Sequence, residues 1–309
     1  MLDLDASEQV LATGTVAFAV SRDILDIAGP DAAGYLQGQL SQDAEGLEVG
    51  ASRAALLLQP QGRVDAWGRL TRLADQRFWF DVDPGHGAEA AARLRRFLLR
   101  VEVTIELSSR PLVAVRGRGA PDPAGAAALA VPPGATVLAP VWPGVTGVDV
   151  VLGVDDGPWS PAGVELGAQE ALEAERIALG LPAMGTEIDG STIPAAAGVV
   201  GASVDFTKGC YVGQELVARI DSRGAATPTR LVGVRFGGPP AAPGSELTAD
   251  GAPVGTVTSS APSGRWGPIG LAYLKRGVEL GPVDVTAPDG SAAGKAETVA
   301  LPLAAAPTD

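Results

Sequence analysis

The chain has 309 residues and a net charge of −13, with 46% hydrophobic residues, one cysteine and one histidine. This length predicts two or three domains with their own cores, and the composition excludes a disordered chain. The acidic balance argues against direct nucleic-acid binding. Because no apolar run approaches the ~20 residues that span a bilayer and the acidic N-terminus is unlike a signal peptide, we expect a cytoplasmic protein without membrane contact.

The N-terminal third alternates strand and helix patterns. Residues 15–20 have the period-two pattern of a strand, and Asp31 is placed to cap a helix that carries Tyr35, Leu36 and Leu40. A hairpin, a strand, a helix and two short strands follow at 54–70, 77–82, 88–100, 101–105 and 112–116. These elements predict a mixed α+β unit with antiparallel pairing.

The middle and C-terminal parts of the chain have different patterns. Residues 117–134 are rich in proline, glycine and alanine, which predicts a surface loop. A strand over 147–153 and a helix over 167–179 follow, and Gly180 closes the helix. Short β-like runs separated by glycine and proline turns then predict a small barrel or sandwich, with strands at 231–236, 254–257, 269–274, 283–287 and 295–300.

One segment has the residue types of a chemical site: Asp205-Phe-Thr-Lys-Gly-Cys-Tyr-Val-Gly-Gln-Glu215. Gly209 and Gly213 flank Cys210 and permit tight turns or the close approach of a ligand. Lys208 lies two residues before the thiol, and nearby cations favour the thiolate. The alternative is a cysteine that acts as a small buried hydrophobe, with Lys208 as a solvated loop charge. One cysteine and one histidine predict no disulfide and no metal site of the chain's own.

The octapeptide 208–215, KGCYVGQE, resembles the signature of the YgfZ family, folate-binding proteins that are similar to the glycine-cleavage T-protein (GcvT, aminomethyltransferase). Four further blocks resemble the same family in the same order, and together they span roughly residues 15–235. These blocks are 27–39, 59–63, 176–182 and 192–194.

The resemblance implies an α+β, three-domain ring of GcvT/YgfZ type. The first, folate-binding domain would be discontinuous, 1–45 plus 112–228, with an inserted α+β domain at 46–111 and a C-terminal β-barrel domain at 229–309. The implied cofactor is tetrahydrofolate or a one-carbon derivative. The implied role is iron–sulfur cluster assembly, repair or maintenance, with effects on tRNA modification and transient contact with iron–sulfur or cluster-assembly proteins.

The same resemblance implies that Cys210 and Lys208 carry the chemistry. The expected cofactor-binding residues are the rest of the signature and two arginines that follow it: Gly209, Tyr211, Gly213, Gln214, Glu215, Arg219 and Arg223. Tyr211 offers a flat surface for a pterin. The arginines, together with Arg230, are candidates for the anionic glutamyl tail, and surface ion pairs are the alternative for each of them.

The chain departs from the T-protein pattern where that pattern has carboxylates. Ala178 and Gly190 stand at two acidic positions, for which Glu187 or Asp189 could substitute, and residues 81–86 differ from the segment with the catalytic aspartate. Without a positioned carboxylate, aminomethyl transfer should fail. Three functions stay open: a YgfZ-type accessory factor, an aminomethyltransferase of glycine-cleavage type, and a non-catalytic module that binds another anion.

Overall fold

The computed structural model describes residues 1–222, 224 and 226–303, so that Arg223, a predicted cofactor-binding residue, lies outside the described residues. Seven strands form one antiparallel sheet: β1 (Val16–Ala28), β2 (Ser52–Leu58), β3 (Val64–Ala74), β4 (Arg77–Val82), β5 (Thr104–Arg116), β6 (Thr136–Leu138) and β7 (Val148–Val151). Their order is β2-β3-β4-β1-β5-β7-β6. The predicted hairpin at 54–70 is the β2–β3 pair.

The long strand β1 lies in the middle of this sheet. It pairs with β5 from Val16 to Ala28 and with β4 over its second half. The strand that starts at 101–105 and the short strand predicted at 112–116 are one strand, β5, because the residues between them also pair with β1. Because β1 runs beside the whole of β5, the backbone hydrogen-bonding groups of β5 find partners there, and its polar side chains do not interrupt the strand.

The described residues form six α-helices: α1 (Leu4–Thr13), α2 (Ala32–Gln39), α3 (Gly87–Arg95), α4 (Gln169–Ala178), α5 (Val200–Ser203) and α6 (Gln214–Asp221). The predicted loop at 117–134 contains one 3-10 turn, at Ala126–Leu129. Asp31 stands at the N-cap of α2, but its carboxylate accepts a hydrogen bond from the Glu102 backbone instead of capping the helix. α3 ends earlier than the sequence predicts. None of these helices is long and apolar enough to cross a membrane.

The main core lies where α2 and α3 cover one face of the sheet. Phe78, Phe80 and Val82 alternate along β4 and are buried there, together with Leu36 and Leu94 from the two helices. Because side chains alternate along a strand, Trp79 and Asp81 lie on the opposite face of β4, and both are also buried. This second face positions the site described below.

The C-terminal strands close into a barrel in the order β10-β11-β8-β13-β12-β9, which confirms the predicted barrel. They are β8 (Thr229–Phe236), β9 (Glu246–Ala249), β10 (Ala252–Ala261), β11 (Ile269–Lys275), β12 (Pro282–Thr286) and β13 (Ala292–Val299). Ile177 and Ala178 of α4 pack against Trp266 and Leu271 of the barrel. The division into three domains stays a prediction, and strands from the first two predicted domains share one continuous sheet.

Candidate functional site

A cavity of about 550 Å³ lies between the sheet, α4 and the segment 140–146. Its volume is in the range of small-molecule pockets, about 300–1,000 Å³. Trp67 and Trp142 form part of its wall, with ring centroids 5.7 Å apart and planes at 89°. Leu172 of α4 and Leu179, directly after this helix, add apolar surface. The cavity can therefore hold a flat, largely apolar ligand.

Alternating charges line the sheet side of the cavity. Asp81 accepts hydrogen bonds from Arg22 at 2.9 Å and from Arg69 at 2.8 Å. Arg69 also donates to Asp149 at 2.6 Å, and Asp149 accepts a further bond from Arg116. Burial by itself would raise the pKa of Asp149, but the charges of Arg116 and Arg69 outweigh it and lower this pKa to about 2. The ion pairs fix the polar wall in one arrangement.

Sequence reasoning missed this polar wall. Arg69 and Asp81 are paired residues on β3 and β4, so their side chains project on the same side of the sheet. The available signal was the inward alternation of Phe78, Phe80 and Val82, since it places Asp81 on the other face of the strand. Nothing in the local pattern shows that this other face is covered as well.

The helix α4 closes the cavity from the barrel side. Arg176 donates to Glu173 at 2.6 Å and Glu187 at 3.1 Å, and also to the Ser259 hydroxyl of the barrel at 2.7 Å. Glu187 is fully buried and accepts further bonds from Ser259 and from a backbone N–H. It therefore holds α4 to the barrel.

Asp189, the second carboxylate that could replace the acidic residues missing at Ala178 and Gly190, stabilises a turn. Its carboxylate accepts hydrogen bonds from Ser191 and Thr192, which lower its pKa together with the backbone N–H of Ser191. Asp189 and Glu187 are both absent from the described lining of the cavity. Neither residue replaces a ligand-binding carboxylate there.

The signature segment lies along the C-terminal end of α2. The Lys208 ammonium donates to the backbone oxygens of Gln37 at 2.6 Å, Leu40 at 2.6 Å and Gln42 at 3.0 Å. Val212 also donates its backbone N–H to this helix end, at 3.2 Å. Burial lowers the pKa of Lys208 to about 8. The alternative of a solvated loop charge is therefore wrong, because Lys208 caps unpaired carbonyls of a helix end.

Cys210 is exposed, so the alternative of a buried core cysteine is also wrong. Its neighbour Gly209 has open space where a Cβ would stand. Gly213 has a φ of +84°, and a Cβ there would come within 2.5 Å of the Gln59 backbone oxygen, so this position requires glycine. The helix α6 begins directly after this turn, at Gln214.

The other predicted binding residues lie around this turn. The side-chain oxygen of Gln214 accepts a hydrogen bond from the Tyr211 backbone at 3.2 Å and so ties the turn to α6. Glu215 and Arg219 are exposed on α6. Arg230, on β8, donates to the Val278 backbone oxygen. The structure thus gives Gln214 a local structural partner and leaves Glu215 and Arg219 at the surface.

The signature and the cavity lie close together but do not coincide. Within the described part of the chain, residues 208–215 and Arg219 do not line the cavity. Tyr211 is buried, with its ring 5.0 Å from the Lys208 nitrogen, and it belongs to the same apolar cluster as Trp67 and Trp142. One apolar cluster therefore contains Tyr211 of the signature and also two tryptophans of the cavity wall.

Comparison with known proteins relates this architecture to named families. Residues 229–302 match the family model CAF17, C-terminal beta-barrel domain. The human iron-sulfur cluster assembly factor IBA57, mitochondrial, is 29% identical over 298 residues, covering 90% of this chain and 82% of the relative. The tRNA-modifying protein YgfZ of Klebsiella pneumoniae is 29% identical over 215 residues, covering 64% of this chain and 65% of the relative.

A solved structure shows the same fold along almost the whole chain. The crystal structure of glycine cleavage system aminomethyltransferase T from Bartonella henselae matches with a TM-score of 0.79 at 21% sequence identity. The match covers 96% of this chain and 88% of the Bartonella chain. The fold is therefore that of the T-protein class, with a closed C-terminal barrel. The sequence is similar to YgfZ and IBA57 proteins, so its resemblance to the YgfZ family is confirmed.

Proposed function

We propose that this protein is a folate-binding accessory factor for the assembly, repair or maintenance of iron–sulfur clusters, with effects on tRNA modification. The names of its IBA57 and YgfZ relatives support this function. One structural observation carries the proposal. An exposed cysteine lies in a glycine turn anchored by Lys208, and the apolar cluster that contains the neighbouring Tyr211 also supplies Trp67 and Trp142 to a ligand-sized cavity.

The cavity suits the ring end of a folate. Trp67 and Trp142 offer aromatic surface to a pterin, and the volume is that of a small-molecule pocket. The lining contains four arginines and five carboxylates, so it has no positive excess that would attract a glutamyl tail. We place the ring inside and the tail toward the opening. A bound tetrahydrofolate supplies a carrier for one-carbon units.

We assign the thiol chemistry to Cys210, with Lys208 as a positioning residue. Lys208 fixes the loop through three backbone carbonyls at and just after the C-terminal end of α2, and Gly209 leaves the approach to the thiol open. A single cysteine cannot hold a [4Fe–4S] cluster, which normally takes about four. The cluster is therefore the cargo of partner proteins, and Cys210 contacts those partners transiently.

The aminomethyltransferase alternative has less support from the cavity. Its chemistry needs a carboxylate that is available to stabilise a positive transition state. Asp81 and Asp83 belong to the segment 81–86, which stands where the T-protein has its catalytic aspartate, and both line the cavity. Both also accept hydrogen bonds from Arg22. Their negative charge is already compensated within the protein. The likeness to the T-protein structure concerns the fold alone.

The proposed function is tested by complementation in a strain that lacks the gene. Cys210→Ala should fail to restore the activity of an iron–sulfur enzyme, while the thermal unfolding midpoint stays unchanged because the side chain is exposed. Ala218→Ser, at an exposed position on α6, is the matched control and should restore activity fully. Full restoration by Cys210→Ala would contradict the proposal.

A further inference from the structure

One short segment of this acidic protein is strongly basic. It is Arg93-Leu-Arg-Arg-Phe-Leu-Leu-Arg100, in which half of the residues are arginines although the chain carries a net charge of −13. The segment contains the last turn of α3 and the residues directly after it. None of its residues is among the described residues that line the cavity, and α3 covers the other face of the sheet. The segment is therefore separate from the proposed folate site.

The apolar residues of this segment divide into an inward and an outward pair. Leu94 is buried in the main core, and Leu98 packs against that core. Phe97 and Leu99 are instead exposed, by 42% and 81%. Exposed apolar side chains that are grouped and rimmed by charges are typical of an interaction surface. The inward pair fixes the backbone, so that the outward pair is presented from a rigid base.

The ring of Phe97 is held in place by an arginine. The Arg93 guanidinium carbon lies 4.4 Å from the centroid of this ring, within the range of a cation–π contact. Arg93 is itself fixed, because it donates to Asp65 at 2.9 Å and to the Leu58 backbone oxygen at 3.1 Å. An aromatic side chain that is already ordered loses little conformational freedom when a partner covers it.

The outer arginines have unused charge. Arg96 and Arg100 are exposed, and within the described part of the chain their side chains have no hydrogen-bond or ion-pair partner. Arg95 donates to a backbone oxygen of β5 at 2.7 Å. Arg100 has a φ of +61°, where the backbone alone would favour glycine. Two cations are thus available to a partner on either side of the exposed apolar pair.

We propose that the exposed residues of this segment dock an acidic stretch of a partner protein. These residues form the docking patch: Arg96, Phe97, Leu99 and Arg100. Carboxylates of the partner pair with the two arginines, and its apolar side chains cover the phenylalanine and the leucine. The inference goes beyond the proposed function, since it depends neither on folate binding nor on Cys210.

The composition of the docking patch favours a protein as its occupant. Arginine and aromatic residues are enriched in protein–protein interfaces, whereas lysine is depleted there, and the patch contains no lysine. The net charge of −13 repels an extended polyanion such as RNA or an anionic membrane surface. A short acidic stretch touches only the patch and so avoids most of this repulsion.

Fluorescence anisotropy with a labelled peptide tests the proposal. The probe is an amphipathic peptide of about 18 residues, or five helical turns, with leucine on one face and glutamate on the other. Arg96→Glu/Arg100→Glu should bind it about 10-fold or more weakly than the wild type, and Leu99→Ser about 5-fold or more weakly. Arg118→Glu/Arg276→Glu makes the same change of net charge at two exposed positions elsewhere, and it should bind like the wild type.

Further probes separate the possible occupants of the docking patch. The same peptide with glutamine in place of glutamate should bind the wild type about 10-fold more weakly, because the ion pairs are lost. Equal affinity for the two peptides, equal binding by Arg96→Glu/Arg100→Glu and the wild type, or no binding by the wild type would overturn the proposal. An oligouridylate RNA or phosphatidylserine vesicles that bind more tightly than the peptide, and lose binding in the same variant, would also overturn it. None of these measurements requires folate, so the proposed function is tested separately.

Discussion

Replacement of Lys208 by methionine tests how the signature segment is held. The substitution keeps an unbranched side chain one atom shorter but removes the ammonium, which donates to three backbone oxygens at 2.6, 2.6 and 3.0 Å. At pH 7 the group is protonated, because its pKa of about 8 lies above that pH. The variant therefore loses all three donors at once and leaves the end of α2 uncapped.

The size of the effect follows from two opposing contributions. Hydrogen bonds to a charged group contribute roughly 1.5–3 kcal/mol each in net terms, while the lowered pKa of Lys208 shows that burial of the ammonium is unfavourable. Three bonds that share one nitrogen do not add fully. We expect a loss of about 2–4 kcal/mol in the free energy of opening this segment.

Amide hydrogen exchange measures this local free energy, because a chain with several cores has no single unfolding free energy. The amide of Val212, which donates to Gly38, should exchange about 30- to 1,000-fold faster in Lys208→Met than in the wild type. Lys295→Met is the control, since Lys295 is exposed and has no side-chain partner among the described residues. An unchanged exchange rate at Val212 in Lys208→Met would refute the anchoring role.

Three further predictions concern the turn, the polar wall and the aromatic wall. Gly213→Ala should lower stability by about 1–3 kcal/mol, because Gly213 has a positive φ and lies close to the Gln59 oxygen. Gly209→Ala should leave the thermal midpoint unchanged. Equal thermal midpoints for the two variants would contradict this prediction. The lowered pKa of Asp149, about 2, means that its carboxylate contributes about 2 kcal/mol to the free energy of unfolding above pH 4. This contribution is lost as the pH falls toward 2. In urea titrations the free energy of unfolding of Asp149→Asn should therefore approach that of the wild type only between about pH 4 and pH 2. Tetrahydrofolate should quench tryptophan fluorescence, and Trp142→Phe should reduce the quenching; an unchanged amplitude would place the ligand elsewhere.

The sequence predicted those elements whose pattern is local. Hydrophobic periodicity and glycine or proline turns predict the hairpin, the helix from 167 to 179 and the barrel strands. All of these elements are present. The short helix α1 was missed, although Asp3 caps it by accepting the backbone N–H of Ala6. The strands β6 and β9 were also missed, since three or four residues are too few to show a period.

The candidate site was predictable only in part. The glycine turn around Cys210 is visible in the octapeptide, and Gly213 is indeed required by the close approach of Gln59. The cavity could not be predicted, because its partners are distant in the chain: Arg69 and Asp149 are separated by 80 residues. Only the folded sheet brings them together.

A crystal structure of the protein with bound tetrahydrofolate tests the central claim most directly. The account predicts that the pterin ring lies in the 550 Å³ cavity beside Trp67 and Trp142, with Cys210 still exposed outside the cavity. Folate density at the protein surface next to Cys210, with the cavity free of ligand, would contradict it.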